Sequence, residues 1–596
     1  MTTPAASLFD VRLPEPFSGW RSIDALLARW VIHHGGDRDL ANLAAACSAA
    51  QGQGHSALAL DDAARFGAKP LAPEALEQAR AAGWVGGPED DTPFVQEGEL
   101  RFYLRRLWRA ENAVANAVAA RIAAPSNAHP MRPLDATDLD ALFGAAATPA
   151  TAAQREAVRR CGGQRLFVLT GGPGTGKTTT VLRMLLGRML ASASADGATP
   201  RVAVAAPTGK AAQRLVESLR HGRDLLAAQT GDARIADASS RFALPDATTL
   251  HRLLGFHPAA NRFRRDADHP IDADIVVVDE ASMIDIELLQ ALLAALPETA
   301  ALWLVGDADQ LSPVGPGTAF QDLVQAFEAR PSAPLTRLAH SFRAEAPLVA
   351  LNAALRSGDA DACAEAFAAS ESLQRVSLTN AAAAAAALSQ WAEALQQEAP
   401  NSLRDGHESD DAAALLSGLK RRQWLCAVRD GPFGSLQANR HVDRQLRQHA
   451  IGPRANDDAW YPGRRVLVTR NDADTGLSNG DVGLCLADAD GRLRVWFERD
   501  GGAHALSIGA LPAVEPGFAL TVHKAQGSEY DEVVVVLPPT GARPLLSREL
   551  LYTAASRARR RLTLHATDEA LRLCLETPVN RAGGLHARLA ERLTRA

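Results

Sequence analysis

The chain has 596 residues, too many for one hydrophobic core, so three or four packing units are expected. Its hydrophobic content of 47% and charged content of 22% are typical of a folded protein, and no apolar run reaches the roughly 18 residues that span a bilayer, which argues against a membrane partner. The six scattered cysteines favour a reducing, cytoplasmic compartment over a structural metal cluster, and the net charge of −6 restricts any nucleic-acid site to a local groove.

Lysine is rare in this sequence. Only five of the 63 basic residues are lysines, and arginine supplies all the others. A lysine retained against that bias indicates a need for a compact ammonium group in place of a planar guanidinium. Three of the five lie in motifs that are described below. The five are Lys69, Lys177, Lys210, Lys420 and Lys524.

The first 130 residues contain no catalytic pattern. Two stretches with helical periodicity, WRSIDALLARWVIHH and LRFYLRRLWRAENAVANAVAARI, predict a small helical domain. Such a domain is either a structural cap on the rest of the molecule or a docking surface for a large partner. A row of arginines at helical spacing favours docking: Arg101, Arg105, Arg106 and Arg109.

A phosphate-binding loop follows. The segment RLFVLTGGPGTGKTTTVLRMLL contains an apolar strand, a glycine-rich GxxxxGKT loop and a helix. In this context backbone N–H groups wrap phosphate oxygens, Lys177 reaches the β- and γ-phosphates, and Thr178 is a ligand for Mg²⁺. The sequence therefore predicts a site for ATP and Mg²⁺. The loop residues are Gly171, Gly172, Pro173, Gly174, Thr175, Gly176, Lys177, Thr178 and Thr179.

Other strands of the same predicted sheet also end in polar residues. Residues 207–210 follow the strand VAVAA at its carboxyl end, and ligands bind outside the carboxyl ends of such strands. The strand IVVV precedes Asp279, a predicted Mg²⁺ ligand, and Glu280, which is placed to polarise the attacking water. The strand ALWLV precedes Gln310, which can sense the γ-phosphate. These strands predict one continuous active edge. Between them, residues 217–246 are too polar and irregular for the sheet and predict an inserted subdomain.

The second half of the chain contains a second set of strands with polar ends. They are QWLCAVRDG, RRVLVTRNDADTGLSNGDVG, TVHKAQGSEYDEVVVV and LLYTAASRARRRLTLHAT. They predict a second α/β lobe without a P-loop, and two lobes that face one nucleotide form a clamp. Arg343 and Arg557 are candidates for the arginine that such a lobe contributes to the γ-phosphate. Residues 482–508 show three short strands and predict a small barrel.

Taken in chain order, the motifs resemble the complete set of a superfamily 1 DNA helicase of the B subgroup. The match is most specific to the RecD family, the alpha subunits of the exodeoxyribonuclease V (RecBCD) complex. It extends over about residues 148–561. No aromatic residue follows GDADQL, which separates the chain from the A subgroup. The motifs are TPATAAQREAV, GGPGTGKTT, APTGKAAQRL, TTLHRLLG, DEAS, GDADQL, FR, TVHKAQGSE and YTAASRAR.

The resemblance implies an α/β architecture with two RecA-like P-loop NTPase lobes, at residues 131–335 and 336–596. It also implies an SH3-like β-barrel inserted at about 482–515, an N-terminal helical domain at 1–130, and a strand-splitting pin at about 217–246. The N-terminal domain would dock a RecC-like subunit.

The resemblance also assigns roles to residues. It implies that Gln154 recognises adenine and that Gly527 and Glu529 face ATP. The catalytic set would be Lys177, Glu280, Gln310, Arg343 and Arg557, with Thr178 and Asp279 at the metal. Residues expected to line the single-stranded DNA path are Pro207, Thr208, Thr249, His251, Thr521 and His523. Phe256 is either a base-stacking residue or an aromatic that anchors its loop.

The implied function is ATP-dependent 5′-to-3′ movement on single-stranded DNA. The protein would act at duplex ends with RecB-like and RecC-like subunits in double-strand break repair and recombination, without a nuclease site of its own. One alternative is a stand-alone helicase similar to Pif1 or to relaxase helicases. Another is a regulatory subunit that binds nucleotide as a switch and does not move. Glu280 and Gln310 argue against the switch, because a pure switch has less need of a water-activating acid.

Overall fold

The computed structural model describes residues 17–123, 133–144, 148–192, 199–398, 409–450, 459–472, 474–499, 502–539 and 545–595. Among these residues, none of the helices combines the length and the apolar character that a bilayer crossing requires. The helices are α1 Ser22–His33, α2 Arg38–Gly52, α3 Pro73–Ala81, α4 Arg105–Ala123, α5 Ala136–Phe143, α6 Pro149–Cys161, α7 Lys177–Ser192, α8 Gly209–Thr230, α9 Ala233–Arg241, α10 Leu250–Leu253, α11 Ile286–Ala295, α12 Ala319–Glu328, α13 Ala346–Ser357, α14 Ala360–Ala368, α15 Ala381–Glu398, α16 Ser409–Gly418, α17 Ser435–His449, α18 Arg548–Ala555, α19 Asp568–Glu576 and α20 Leu585–Arg595.

Within the described residues, the strands form four sheets. They are β1 Leu58–Ala59, β2 Val85–Gly86, β3 Phe94–Glu97, β4 Arg101–Leu104, β5 Leu166–Gly171, β6 Val202–Ala206, β7 Thr248–Thr249, β8 Ile275–Val278, β9 Ala301–Gly306, β10 Leu335–Leu338, β11 Leu373–Val376, β12 Arg422–Cys426, β13 Arg465–Val468, β14 Val482–Ala487, β15 Leu493–Arg499, β16 Gly502–Ser507, β17 Val514–Pro516, β18 Ala519–Thr521, β19 Tyr530–Val536 and β20 Ala558–His565.

The first lobe is built on a six-stranded parallel sheet with the order β10-β5-β9-β8-β6-β7. Its central strands are buried along their whole length, because helices cover both faces. Helices α5 to α9 pack on one face, and α4, α11, α12 and α20 pack on the other. The carboxyl ends of β5, β6, β8 and β9 therefore share one edge, as the sequence predicted.

The second lobe is a five-stranded parallel sheet with the order β11-β20-β19-β12-β18. The valine run of β19 alternates between its faces: Val533 and Val535 lie in the core with α13 and α18, whereas Val536 packs with α15 and α17. Burial on both faces explains why the run contains no charge. The prediction of a mixed α/β protein with two parallel sheets is confirmed.

An antiparallel five-stranded sheet, with the order β16-β15-β14-β13-β17, is inserted into the second lobe. We call residues 459–517 the inserted sheet. The three strands predicted within 482–508 are present, but the predicted start near 482 is wrong. Strand β13 pairs with β14 and β17 and not with the second parallel sheet. An apolar run such as RVLV does not reveal which sheet it joins, which explains the error.

Residues 217–246 do not form a separate insertion. They continue helix α8 and form α9, and both helices pack on α7 in the core of the first lobe. Leu219, Ile235 and Phe242 are fully buried there. The prediction of a subdomain was wrong because the polar residues of this segment lie on the exposed faces of amphipathic helices. This packing also argues against a pin in these residues.

The N-terminal region contains a four-stranded sheet, β1-β4-β3-β2, beside helices α1, α2 and α3. The helical prediction missed it because strands of two to four residues are too short to show a period. Residues 101–104 form β4, and helix α4 begins at Arg105. Helix α4 packs in the core of the first lobe, so the boundary predicted at residue 130 lies too late in the chain.

The arginine row that favoured a docking surface is engaged within the chain. The contacts are Arg101 with Glu97, Arg105 with the carbonyls of Gly87 and Thr92, Arg106 with Glu287, and Arg109 with Asp91. Arg101 also lies on a strand, so the four residues do not share a helix. The docking prediction therefore loses its support from these residues.

Candidate active site and nucleic-acid interface

The P-loop joins β5 to α7 at the active edge of the first sheet. Gly174 and Gly176 adopt φ angles of +73° and +80°, which residues with a Cβ rarely adopt. Lys177 Nζ donates to the carbonyl oxygens of Gly171 and Gly172 at 2.8 and 3.1 Å. The ammonium group is thus held over the loop, at the place where phosphate oxygens would replace those carbonyls.

Gln154 is attached to this loop. Its side chain is 3% exposed, and Nε2 donates to the Thr175 carbonyl at 3.1 Å, while Oε1 accepts from Arg183 at 3.4 Å. A Cβ at Gly176 would collide with the Gln154 amide. The structure therefore places Gln154 against the loop, where it fixes the position of the loop backbone.

Two carboxylates follow β8. Burial, and then repulsion from Glu280, raise the pKa of Asp279 to about 7, although the Lys177 ammonium opposes this change. A cation beside Asp279 would relieve both effects, and Mg²⁺ prefers carboxylate, hydroxyl and phosphate oxygens. Thr178 and Asp279 therefore fit Mg²⁺ bound together with a nucleotide. Among the residues that the structure describes, no group of three or more His, Cys, Asp or Glu side chains could hold a metal ion by itself.

Asp307 links the two lobes. The carboxylate oxygen Oδ2 accepts from Gln310 Nε2 at 2.9 Å and from the Tyr552 hydroxyl of the second lobe at 3.0 Å. Burial raises the pKa of Asp307, and Lys177 opposes the rise. The buried Oε1 of Gln310 lacks a hydrogen-bond partner among the described residues and can accept from a water molecule. Asp307 and Tyr552 were not predicted as site residues, although both lie in motifs that the sequence displays.

The two candidate arginines occupy different environments. Arg343 lies beside the P-loop: the Phe342 N–H donates to the Gly174 carbonyl at 2.8 Å, and the Arg343 guanidinium pairs with Glu529. Arg557 is 3% exposed, and the bonds described for its guanidinium stay within the second lobe. Its acceptors are the carbonyls of Thr553 and Ser528 and the Ser556 hydroxyl.

Glu529 also pairs with Arg559, at 2.9 Å. Burial alone would raise the pKa of Glu529, but the guanidinium groups of Arg343 and Arg559 outweigh burial and hold that pKa below its ordinary value. Glu529 is therefore charged and keeps two partly exposed guanidinium groups together. Arg559, two residues after Arg557, is a second residue that sequence reasoning missed.

Gly527 brings the second lobe next to Glu280. Its φ angle is +69°, and a Cβ at this position would lie 3.5 Å from Glu280 Oε1. Arg214 of helix α8 donates to the Gly527 carbonyl, so both lobes hold this residue. Arg214 was not predicted either, because only the folded chain shows that α8 faces the loop at 527.

The predicted DNA-contacting threonines share one local geometry. Thr208 Oγ accepts the Ala211 N–H at the start of α8, and Thr249 Oγ accepts the Arg252 N–H at the start of α10. Thr521 Oγ accepts the Lys524 N–H of a short 3-10 turn. Thr208 and Thr249 are thus the N-caps of α8 and α10, and Thr521 lies one residue before the cap of its 3-10 turn. N–H groups at the start of a helical turn favour an anion such as a phosphate.

These threonines also lie at corresponding sheet edges. Strand β7 is the edge strand of the first sheet and pairs Thr249 with Ala206, next to Pro207 and Thr208. Strand β18 is the edge strand of the second sheet and ends at Thr521, with His523 two residues further on. We call this set of residues the threonine path: Pro207, Thr208, Thr249, His251, Thr521 and His523.

Phe256 packs against neighbouring aromatic rings. Its ring centroid lies 5.4 Å from that of His251 and 5.3 Å from that of Phe263. Of the two interpretations left open by the sequence, this packing favours an aromatic that anchors its loop. His251 itself is exposed at the surface of this cluster.

The two parallel α/β lobes, the P-loop and the contacts between the lobes define a P-loop motor of the superfamily 1 helicase class. Two family models agree: an AAA domain matches residues 154–316, and a UvrD-like helicase C-terminal domain matches residues 516–565. The chain is 38% identical to the RecBCD enzyme subunit RecD of Mycobacterium tuberculosis over 487 residues, which cover 82% of this chain and 80% of that protein. The chain therefore belongs to the RecD family.

Two further relatives agree with this assignment. The RecD subunit of Mycolicibacterium smegmatis is 39% identical, over 83% of this chain and 82% of that protein. The ATP-dependent RecD2 DNA helicase of Deinococcus radiodurans is 33% identical, over 79% of this chain and 57% of that protein. A solved structure of Bacteroides Pif1 helicase is 16% identical, with a TM-score of 0.35, over 72% of this chain and 94% of that chain.

Proposed function

We propose that the chain is an ATP-dependent DNA helicase that moves 5′ to 3′ on single-stranded DNA. The observation that carries the proposal is that residues 521–529 reach two sites at once. Thr521 and His523 belong to the threonine path, whereas Gly527 faces Glu280 and Glu529 pairs with Arg343. A conformational change at the nucleotide is thereby transmitted to the residues that contact DNA, as a motor requires.

In the proposed nucleotide site, Lys177 exchanges the two loop carbonyls for β- and γ-phosphate oxygens. Glu280 orients the attacking water and accepts its proton. Gln310 offers its unpaired Oε1 to that water, and Gln154 holds the loop beside the adenine. Mg²⁺, held by Thr178 and Asp279, would neutralise charge on the phosphates.

Arg343 is the arginine best placed to reach the γ-phosphate from the second lobe. It lies beside Gly174 and is partly exposed, and Glu529 holds it in position. We propose that Arg557 contributes after the loop at Ser528, which it now supports, has moved. A cation at the γ-phosphate stabilises the charge that develops during hydrolysis.

The threonine path is proposed to hold DNA phosphates. Hydroxyl groups and backbone N–H groups bind each phosphate without a permanent charge, so a contact can be released in every cycle. This explains how a protein with a net charge of −6 binds a polyanion.

We further propose that the protein acts as the RecD-type subunit of a heterotrimer with RecB-like and RecC-like subunits at duplex DNA ends. Its similarity to proteins named as RecBCD enzyme subunits supports this, because the match covers 80–82% of two such subunits but only 57% of the RecD2 helicase. Break repair and recombination would be the process it serves.

The test is ATP hydrolysis by the chain, alone and co-purified with its partner subunits, with and without single-stranded DNA. We expect DNA to increase the rate severalfold. Lys177→Gln should abolish hydrolysis by the chain alone and remove this chain's share of the hydrolysis in the complex, with and without DNA. A nucleotide switch that does not move predicts hydrolysis that is indifferent to DNA. That result, obtained in the assembled complex, would exclude the motor.

A further inference from the structure

Three of the five lysines face carboxylates of the inserted sheet. Lys420 Nζ lies 2.8 Å from Glu498 Oε1, and Lys524 Nζ pairs with Glu515. Lys210 lines the same small cavity as Asp481. The inserted sheet contains no lysine of its own. In a chain whose cations are nearly all arginine, this concentration at one small sheet needs a physical reason.

The three lysines approach the inserted sheet from different parts of the motor. Lys210 lies in the first turn of α8 in the first lobe, Lys420 directly precedes β12, and Lys524 follows β18. Lys210 and Lys420 line one cavity of about 120 Å³ together with Asp481 and Glu498. The inserted sheet is therefore attached to the second lobe through two lysine–carboxylate pairs, and Lys210 of the first lobe borders it at this cavity.

The inserted sheet also borders the threonine path. A Cβ at Gly209, next to Thr208, would lie 2.7 Å from Ser478 Oγ, and the Ser478 N–H donates to Asp481 at 2.7 Å. On the other side, Lys524 directly follows His523. Lys210 and Lys524 thus lie within three residues of path residues, one in each lobe.

Lysine and arginine would hold the sheet differently. A guanidinium forms two parallel bonds to a carboxylate and fixes its orientation, whereas an ammonium makes a single contact that breaks and re-forms without a preferred plane. Arg494 of the inserted sheet, for comparison, pairs with Asp488 of the same sheet at 2.6 Å, whereas Arg429 of the second lobe reaches Glu515 only at 3.7 Å. Lysine is thus the side chain suited to a contact that must break and re-form.

We infer that Lys210, Lys420 and Lys524 are positioning residues that hold the inserted sheet against the threonine path. Their contacts set how tightly the path retains single-stranded DNA, and they take no part in ATP hydrolysis. The inference rests on the proposed function, because it assigns DNA to that path. The three lysines with their partners Asp481, Glu498 and Glu515 are called the lysine seat.

The first test compares Lys420→Gln and Lys524→Gln with a matched control, Lys69→Gln, whose lysine is exposed and remote from the inserted sheet. The concentration of single-stranded DNA that half-saturates ATP hydrolysis is measured in the complex. We expect it to rise by about two- to fivefold in the two seat variants, as for loss of one partly exposed ion pair, with DNA-free hydrolysis unchanged. Seat variants that behave like Lys69→Gln would overturn the inference.

Exchanging the two charges of the Lys524–Glu515 pair shows whether a variant loses this contact alone or is destabilised as a whole. Lys524→Glu alone should weaken DNA retention further, and Lys524→Glu combined with Glu515→Lys should restore it to near the starting value. If the double variant, with normal DNA-free hydrolysis, fails to recover, the Lys524–Glu515 contact does not position the sheet.

If DNA does not stimulate ATP hydrolysis by the starting protein, the proposed function is refuted. The role of the lysines can then still be tested by hydrogen exchange. Seat variants should then still show faster amide exchange in β13 and β17 than Lys69→Gln does, because the inserted sheet is held less firmly. Equal exchange in all variants would refute the lysine seat itself.

Discussion

The side chains that join the two lobes at the nucleotide site are few. Asp307 accepts hydrogen bonds from Gln310 of its own lobe and from Tyr552 of the other, at one carboxylate oxygen. The pKa of Tyr552 is raised by burial and by the nearby Asp307, so its hydroxyl remains a donor. A change in Gln310 on hydrolysis can therefore reach the second lobe through Asp307, beside the hydrogen bond from the Leu311 N–H to Thr553 Oγ1 at 2.9 Å.

Tyr552→Phe removes only the hydroxyl that makes this link. We expect DNA-stimulated kcat to fall by about tenfold while KM for ATP changes less than twofold, because the lost bond acts after binding. Steady-state kinetics of the assembled complex measures both values. Tyr103→Phe is the matched control, since the Tyr103 hydroxyl donates to the buried Glu111 at 3.3 Å in the N-terminal region. Equal kcat values for the two variants would refute the role of Tyr552.

At this scale, residue types in a local motif could be predicted and contacts between distant motifs could not. Lys177, Asp279 and Glu280 follow strands in a pattern that chemistry dictates, and the fold brings them together. Arg214 and Arg559 escaped prediction because each is one arginine among many, and only the folded chain shows which loop each one touches.

The glycine-rich loop is the element in which backbone geometry matters most. Gly176 has a positive φ angle, and a Cβ there would meet the Gln154 amide. Gly231, at the end of α8, also has a positive φ angle, of +59°, but a Cβ there would meet nothing within 4 Å. A substitution at Gly231 would introduce backbone strain alone, whereas a substitution at Gly176 would introduce the same strain together with a collision at the site.

Gly176→Ala should weaken ATP binding by at least about tenfold, because it adds a collision to a strain of about 1 kcal/mol or more. Gly231→Ala carries the strain alone and should bind ATP normally. Equilibrium titration with a fluorescent ATP analogue checks this. Similar affinities for both variants would show that the loop tolerates a side chain and that Gln154 does not constrain it.

Helices and strands could be predicted from the sequence where one hydrophobic pattern extended over the whole element. Strands β5, β8, β9 and β19 are apolar runs bounded by polar residues, and all four were predicted. Strand β13 was placed in the wrong sheet, because an apolar run carries no information about its neighbours. The sheet of the N-terminal region was missed because its strands are too short for any period to appear.

At the scale of the molecule, the C-terminal helix holds the parts together. Helix α20 leaves the second lobe and packs on α4 and α12 of the first. Its Arg588 pairs with the buried Glu111, which also accepts the Gly584 N–H at 2.9 Å. A buried ion pair therefore holds the C-terminal helix to the first lobe, whereas individual hydrogen bonds such as that from Tyr552 to Asp307 join the lobes at the nucleotide edge.

The most direct test of the account is strand displacement by the chain assembled with its partner subunits. Duplexes with only a 5′ or only a 3′ single-stranded overhang are supplied with ATP. Lys177→Gln, placed in the same complex, removes the contribution of this motor and leaves that of any other. The account predicts that the part of the unwinding lost in Lys177→Gln is found on the 5′-overhang duplex. Equal unwinding by both complexes, or a loss confined to the 3′-overhang duplex, would contradict it.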